Sequence, residues 1–128
     1  KVLCEMGHSD RIVIADGNFP VESVGKNAKV IRCDGHGVPE ILDGILKLIP
    51  LDTYVDSPAV LMATGEGEET PEIWAKYEEI ITENNGKTNI SQTERFAFYE
   101  RARNAYAIVA TGESAIYANI ILKKGVVK

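Results

Sequence analysis

Short β-branched runs recur along this chain with helix-forming stretches between them, and that alternation most constrains the fold. Arg11–Ala15 (RIVIA) is apolar on both of its alternating faces, so it reads as a buried strand that needs cover on each side. Residues 28–33 (AKVIRC) read as a second strand, 60–63 as a third, and 105–110 (AYAIVA) and 118–122 (ANIIL) as two more. Between them lie helical patterns. Residues 40–48 place Ile41, Leu42, Ile45 and Leu48 on one face, behind a Pro39 suited to a first helical position. Thr70-Pro71-Glu72 predicts a capped helix to about Thr82, and Ser91-x-x-Glu94 predicts a capping box that starts a helix through about Asn104. Val2–Met6 reads as a helix end stopped by Gly7. The expectation is a layered α/β/α domain with a mixed sheet over residues 1–128, in which the last two strands close as a hairpin at Gly112.

Composition removes several function classes. Fourteen basic against 19 acidic residues give a net charge of −5, which argues against a nucleic-acid surface. No apolar run is long enough to span a bilayer, and KVLCEMGHSD turns polar too early for a signal peptide. Two cysteines in 128 residues make no disulfide scaffold, so free thiols and a reducing cytoplasm are expected. Cys4-x3-His8 and Cys33-x2-His36 have the spacing of a four-ligand zinc site. The simpler reading has Cys4 on the apolar face of a short helix and Cys33 at a strand end. TGEGEE and DGHG match neither phosphate-binding glycine motif, and no G-x-S-x-G elbow is present.

What remains is a set of polar residues at predicted strand ends, where ligands gather in such sheets. His8 follows a helix-stopping glycine and precedes a strand, and its imidazole can exchange a proton near neutral pH. A surface or capping role is the competing reading. Asp10 is a carboxylate beside it, Asp16 ends the RIVIA strand, and Asp34 sits in a loop after the second strand with His36. The competing reading for Asp16 is an Asx-turn in ADGN. Arg95 stands in a predicted first helical turn, where cations are disfavoured; it is either a hydrogen-bond fork for an oxygen-rich ligand or a partner of Glu94 or Glu100. Arg101 shares that helix. Phe96, Phe98 and Tyr99 read as core or interface. Tyr117 and Asn119 flank Ala118 and share one side of the last strand, where they offer a phenol and an amide. The acidic run Glu66-Gly67-Glu68-Glu69 reads as a solvated loop.

The segments MGHSD, IADGNFP, ERFAFYERA and TGE-x-x-x-YANI-x-LKKGV resemble the fucose mutarotase and ribose pyranase family over nearly the whole chain. Arg95 favours the fucose branch, since the ribose branch has a histidine there. The resemblance implies an isomerase that interconverts anomers of a free sugar. It implies His8 as the catalytic histidine, and Asp16, Arg95 and the Tyr117-Ala118-Asn119 segment as sugar-binding positions. It implies no metal or organic cofactor, and ring-shaped homo-oligomers, often decamers, with sites between subunits. Ser9 departs from the pattern, in which glycine is common. The proton-transfer partner of His8 stays open among Tyr117, Asp16 and a held water. A ribose pyranase and a non-catalytic sugar-binding protein are the alternative functions.

Overall fold

Six strands form one mixed sheet in the order β2-β5-β1-β6-β3-β4. The computed structural model describes residues 1–128. The strands are β1 (Arg11–Ala15), β2 (Lys29–Cys33), β3 (Ala59–Met62), β4 (Ile90–Thr93), β5 (Ala107–Thr111) and β6 (Ile120–Lys123). Five run parallel; β6 is antiparallel to both β1 and β3. Helices α1 (Val2–Glu5), α3 (Val38–Leu46) and α4 (Glu72–Asn85) cover one face, while α2 (Val21–Val24) and α5 (Arg95–Arg103) cover the other.

The period-two alternation of the strands assigns each apolar side chain to one of two cores. Ile12, Ile14, Leu61, Val109, Ile120 and Leu122 meet Leu42, Ile45, Trp74, Tyr77 and Ile81. Val13, Ala15, Val60, Ile108 and Ile121 meet Val21, Val24, Phe98 and Ala102. The expected α/β/α layering is therefore present.

The expected terminal hairpin is not. β1 lies between β5 and β6, with Ile12 paired to Ala107 on one side and to Leu122 on the other. β1 and β5 are almost wholly buried, so both take interior positions. Residues 112–119 must then cross over the carboxyl end of β1, roughly two strand spacings of about 4.8 Å each. Gly112 makes this possible, because any Cβ there would collide with the Asp34 carbonyl.

Two helix starts also differ from the sequence reading. Ser91-Gln92-Thr93 is not a capping box: it pairs in parallel with Val60-Leu61-Met62 as the β4 edge, so the sheet ladder overrides the local cap signal. Glu94 caps α5 instead, its carboxylate accepting from the Phe96 and Ala97 amides at 2.9 and 3.0 Å. Pro71, not Thr70, is the N-cap of α4, and that helix runs on to Asn85.

Candidate functional site

The carboxyl ends of the parallel strands and the start of β6 bring four of the expected residues together. Asp16, Arg95, Tyr117 and Asn119 line one cleft of about 330 Å³, with Asn18, Glu68 and Tyr99 among its other walls. That volume lies at the small end of small-molecule pockets, which run about 300–1,000 Å³.

Asp16 is the fixed point of this cleft and is 5% exposed. Its backbone N–H donates to Asn119 Oδ1 at 2.7 Å. Its own carboxylate accepts from the Asn18 amide at 3.0 Å and the Ala118 amide at 3.4 Å. Burial pushes the Asp16 carboxyl above its ordinary range, the Asn18 and Ala118 N–H groups oppose that shift, and the nearby charge of Glu113 adds to it. The Asx-turn and the ligand-facing carboxylate are thus one arrangement. Asn119 spends its oxygen on Asp16, and its Nδ2 has no acceptor in the protein, which leaves an oriented donor at the cleft.

Tyr117 has φ +53°, a left-handed conformation unusual for a bulky residue and costly by about 1–2 kcal/mol. Helix α4 holds it there. Trp74 Nε1 donates to the Tyr117 carbonyl at 2.8 Å, and the Tyr77 hydroxyl donates to the Ala118 carbonyl at 2.7 Å. Tyr77 is fully buried, and that burial pushes its phenol up, so it acts as a permanent donor. Strain maintained by two buried aromatic donors points to a functional segment. The Tyr117 hydroxyl itself accepts from the Gly65 amide at 3.3 Å. Tyr117 and Asn119 precede β6 rather than alternate within it, yet both reach the cleft.

Arg95 is exposed and pairs with neither Glu94 nor Glu100. Glu94 is spent on the helix cap, and Glu100 pairs with Arg103 at 2.8 Å. The guanidinium rests 4.7 Å from the Phe96 ring centroid, which keeps a five-donor fork beside the cleft without a carboxylate partner.

His8 is elsewhere. It precedes β1, whereas Asp16 follows it, and the strand between them is roughly 13 Å long at about 3.3 Å per residue. His8 Nε2 lies 3.1 Å from Oδ1 of Asp52, a carboxylate whose side chain is 1% exposed, and its ring tilts against Tyr54 at 5.3 Å. The Tyr54 amide, aided by His8 and the Lys123 charge, holds Asp52 below the usual carboxylate range. A carboxylate on Nε2 fixes the tautomer and leaves Nδ1 as a proton acceptor open to its surroundings. Ser9, with φ +78°, turns the chain here and explains why glycine suits the position.

The remaining candidates stay out of the cleft. Asp10 accepts from the Gly7 amide at 2.8 Å, Asp34 pairs with Arg32, and His36 pairs with Glu40 at 3.1 Å. Arg101 borders a different cavity. No three His, Cys, Asp or Glu side chains cluster as metal ligands, so the two Cys/His pairs do not form the four-ligand site. Cys4 is exposed rather than buried on its helix. Of the aromatics, Phe98 is core, Phe96 is 63% exposed and Tyr99 lines the cleft. Sequence reasoning missed Tyr99, Glu68 and Asp52 as site candidates. Tyr99 shares its helix with Arg95 one turn away, which was the available signal; Asp52 carries none, because long-range backbone pairing of Leu51 and Asp52 with Lys123 and Lys124 brings it near His8.

The sequence profile of the RbsD / FucU transport protein family matches residues 1–127. The fucose mutarotase of Mus musculus is 50% identical over 129 residues, covering 96% of this chain and 84% of that protein. The solved structure of FucU from Bifidobacterium longum superposes with a TM-score of 0.95 at 60% identity, over 99% of this chain and 92% of that one. The fucose mutarotase of Streptococcus pneumoniae, solved in complex with L-fucose, gives 0.92 at 52% identity over 98% and 89%. Bacillus subtilis RbsD, complexed with D-ribose, gives 0.75 at 24% identity over 99% and 90%, a likeness that concerns the fold alone.

Proposed function

The chain belongs to the RbsD / FucU transport protein family, and we propose that it is a fucose mutarotase, an isomerase that interconverts the α and β anomers of free L-fucose. The observation that carries this reading is the cleft at the sheet's carboxyl end. It gathers a buried carboxylate, a free guanidinium, an unpaired amide donor and two phenols, a set suited to a polyhydroxylated ring.

Mutarotation opens a hemiacetal and recloses it on the other face. The anomeric hydroxyl gives up a proton, the ring oxygen gains one, the aldehyde rotates about C1–C2, and the two transfers reverse. Groups that act as acid and base in turn are needed. Arg95 and Asn119 hold hydroxyls, Asp16 accepts from one, and the Tyr117-Ala118-Asn119 backbone sets their spacing. Tyr117 and Tyr99 are the phenols within the cleft that can relay a proton.

His8 is the imidazole that the chemistry calls for, and one chain holds it at the wrong end of the sheet. The site is therefore shared: the His8–Asp52 end of one copy closes the Asp16 cleft of another. This arrangement supports a homo-oligomer; its ring shape and decameric count rest on the family resemblance, and the cytoplasm on the two free cysteines. Trp74, Tyr77 and Phe98 are buried within the chain, whereas the exposed Tyr54 beside His8 and Phe96 beside Arg95 support an interface there.

Exchange NMR on L-fucose at anomeric equilibrium tests the proposal, with D-ribose in parallel. Protein-dependent saturation transfer between the fucose anomers is expected, reduced by about 10²-fold or more in His8→Ala. Transfer on ribose alone would favour the pyranase reading. Binding without transfer on either sugar would leave a sugar-binding protein.

A further inference from the structure

Three cations converge on a cleft of about 310 Å³ at the amino end of the sheet: Arg11 of β1, Lys123 of β6 and Arg101 of α5. Arg11 and Lys123 are direct cross-strand partners in the antiparallel β1/β6 ladder. Like charges directly opposite one another destabilise a sheet. The chain has acids in excess, 19 against 14 bases, so a neutralising partner was available. No carboxylate lies within 4.0 Å of any of the three, and Lys123 acts on the Asp52 charge only at longer range. Val60 and Ile121 form an apolar floor, which weakens solvent screening on one side. The cleft shares no residue with the Asp16 cleft of its own chain.

We propose that this cleft is an oxyanion site that takes inorganic phosphate or the phosphate group of a phosphorylated small molecule. Two guanidinium forks and one ammonium match a tetrahedral, doubly charged oxyanion, whereas a single carboxylate neutralises only one of them. An opposed cation pair left unpaired beside a cavity breaks a local stability rule, as binding sites do. The phosphate supplies the missing negative charge, and its binding stabilises the folded chain by mass action.

Thermal unfolding of the full chain in potassium phosphate, against potassium chloride at equal ionic strength, tests the assignment. A saturable rise in Tm is expected with phosphate and not with chloride. Arg11→Gln and Lys123→Gln should each weaken the apparent phosphate affinity roughly tenfold or more. Without phosphate, Arg11→Gln should raise Tm, since it removes one of the opposed charges. A hexose monophosphate that binds more tightly than inorganic phosphate assigns the site to phosphorylated sugars; equal affinity assigns it to free phosphate. The proposal falls if phosphate acts no better than chloride, or if its effect survives in both variants. It also falls if the variants change only the sedimentation of the protein, which would make the cleft a contact for carboxylates of a second copy. Anomer exchange in Arg11→Gln should equal wild type, which keeps this outcome separate from that of the mutarotase reading; Lys123→Gln serves only the phosphate measurement, because the Lys123 charge acts on Asp52 beside His8.

Discussion

The two ends of the sheet treat their buried carboxylates in opposite ways. At the carboxyl end Asp16 is pushed up by burial and holds a network that reaches Asn119, Ala118 and Asn18. At the amino end Asp52 is held low, accepts from the Tyr54 amide at 3.0 Å, and orients one half-exposed histidine. The first end grips; the second presents. A cleft that binds hydroxyls needs donors and acceptors frozen by neighbours, whereas a proton carrier needs one ring nitrogen fixed and the other open. Under the proposed mechanism, the separation of these two tasks along β1 is what makes two copies necessary for one site.

The gripping end breaks most readily at Arg95. Arg95→Gln removes a charged fork and should raise KM for fucose by about tenfold or more, with little change in Tm. Isothermal titration and exchange NMR at varied sugar concentration check this; an unchanged KM would move Arg95 out of the site. Next in size is the support behind Tyr117. Tyr77→Phe removes the donor to the Ala118 carbonyl and leaves a buried acceptor unpaired, for an expected loss of about 1–3 kcal/mol in denaturant unfolding. No loss would mean that the strained segment holds itself.

The stability effect at Asp52 is the smallest and has the clearest sign. The folded-state pKa of Asp52 lies below the unfolded value of about 3.9, so its contribution is present above that pH. It is lost as pH falls through the folded value. Asp52→Asn should therefore flatten the acid side of the stability profile below about pH 4. Asp16 has the opposite sign: its raised carboxyl favours the folded state only at low pH, and that advantage goes as pH rises through its folded value. Urea midpoints from pH 2 to 7 for wild type and Asp52→Asn read this difference directly.

Much of the layering was legible in the sequence because apolar runs such as RIVIA fix which faces must be covered. The cleft was legible in part: Asp16, Arg95, Tyr117 and Asn119 all sit at element boundaries, where ligand groups gather in such sheets. Strand order was not. A hairpin is the shortest link between β5 and β6, and only the long-range match of β1 to both reveals the insertion. The Ser91-x-x-Glu94 pattern predicts a helix start, and the pairing of these residues with β3 overrides it. His8 was placed beside a strand end, but local sequence does not say which end of the sheet that becomes, because direction follows from pairing.

Subunit complementation tests the shared site most directly. His8→Ala and Arg95→Gln each disable one end and leave the other whole. The account predicts that each variant alone shows little fucose exchange, and that mixing them after mild dissociation restores a substantial fraction, since some interfaces then carry an intact His8 and an intact Arg95. Exchange that stays at the level of the separate variants, in a mixture shown to have reassembled, would contradict the account and place both residues in one chain's site.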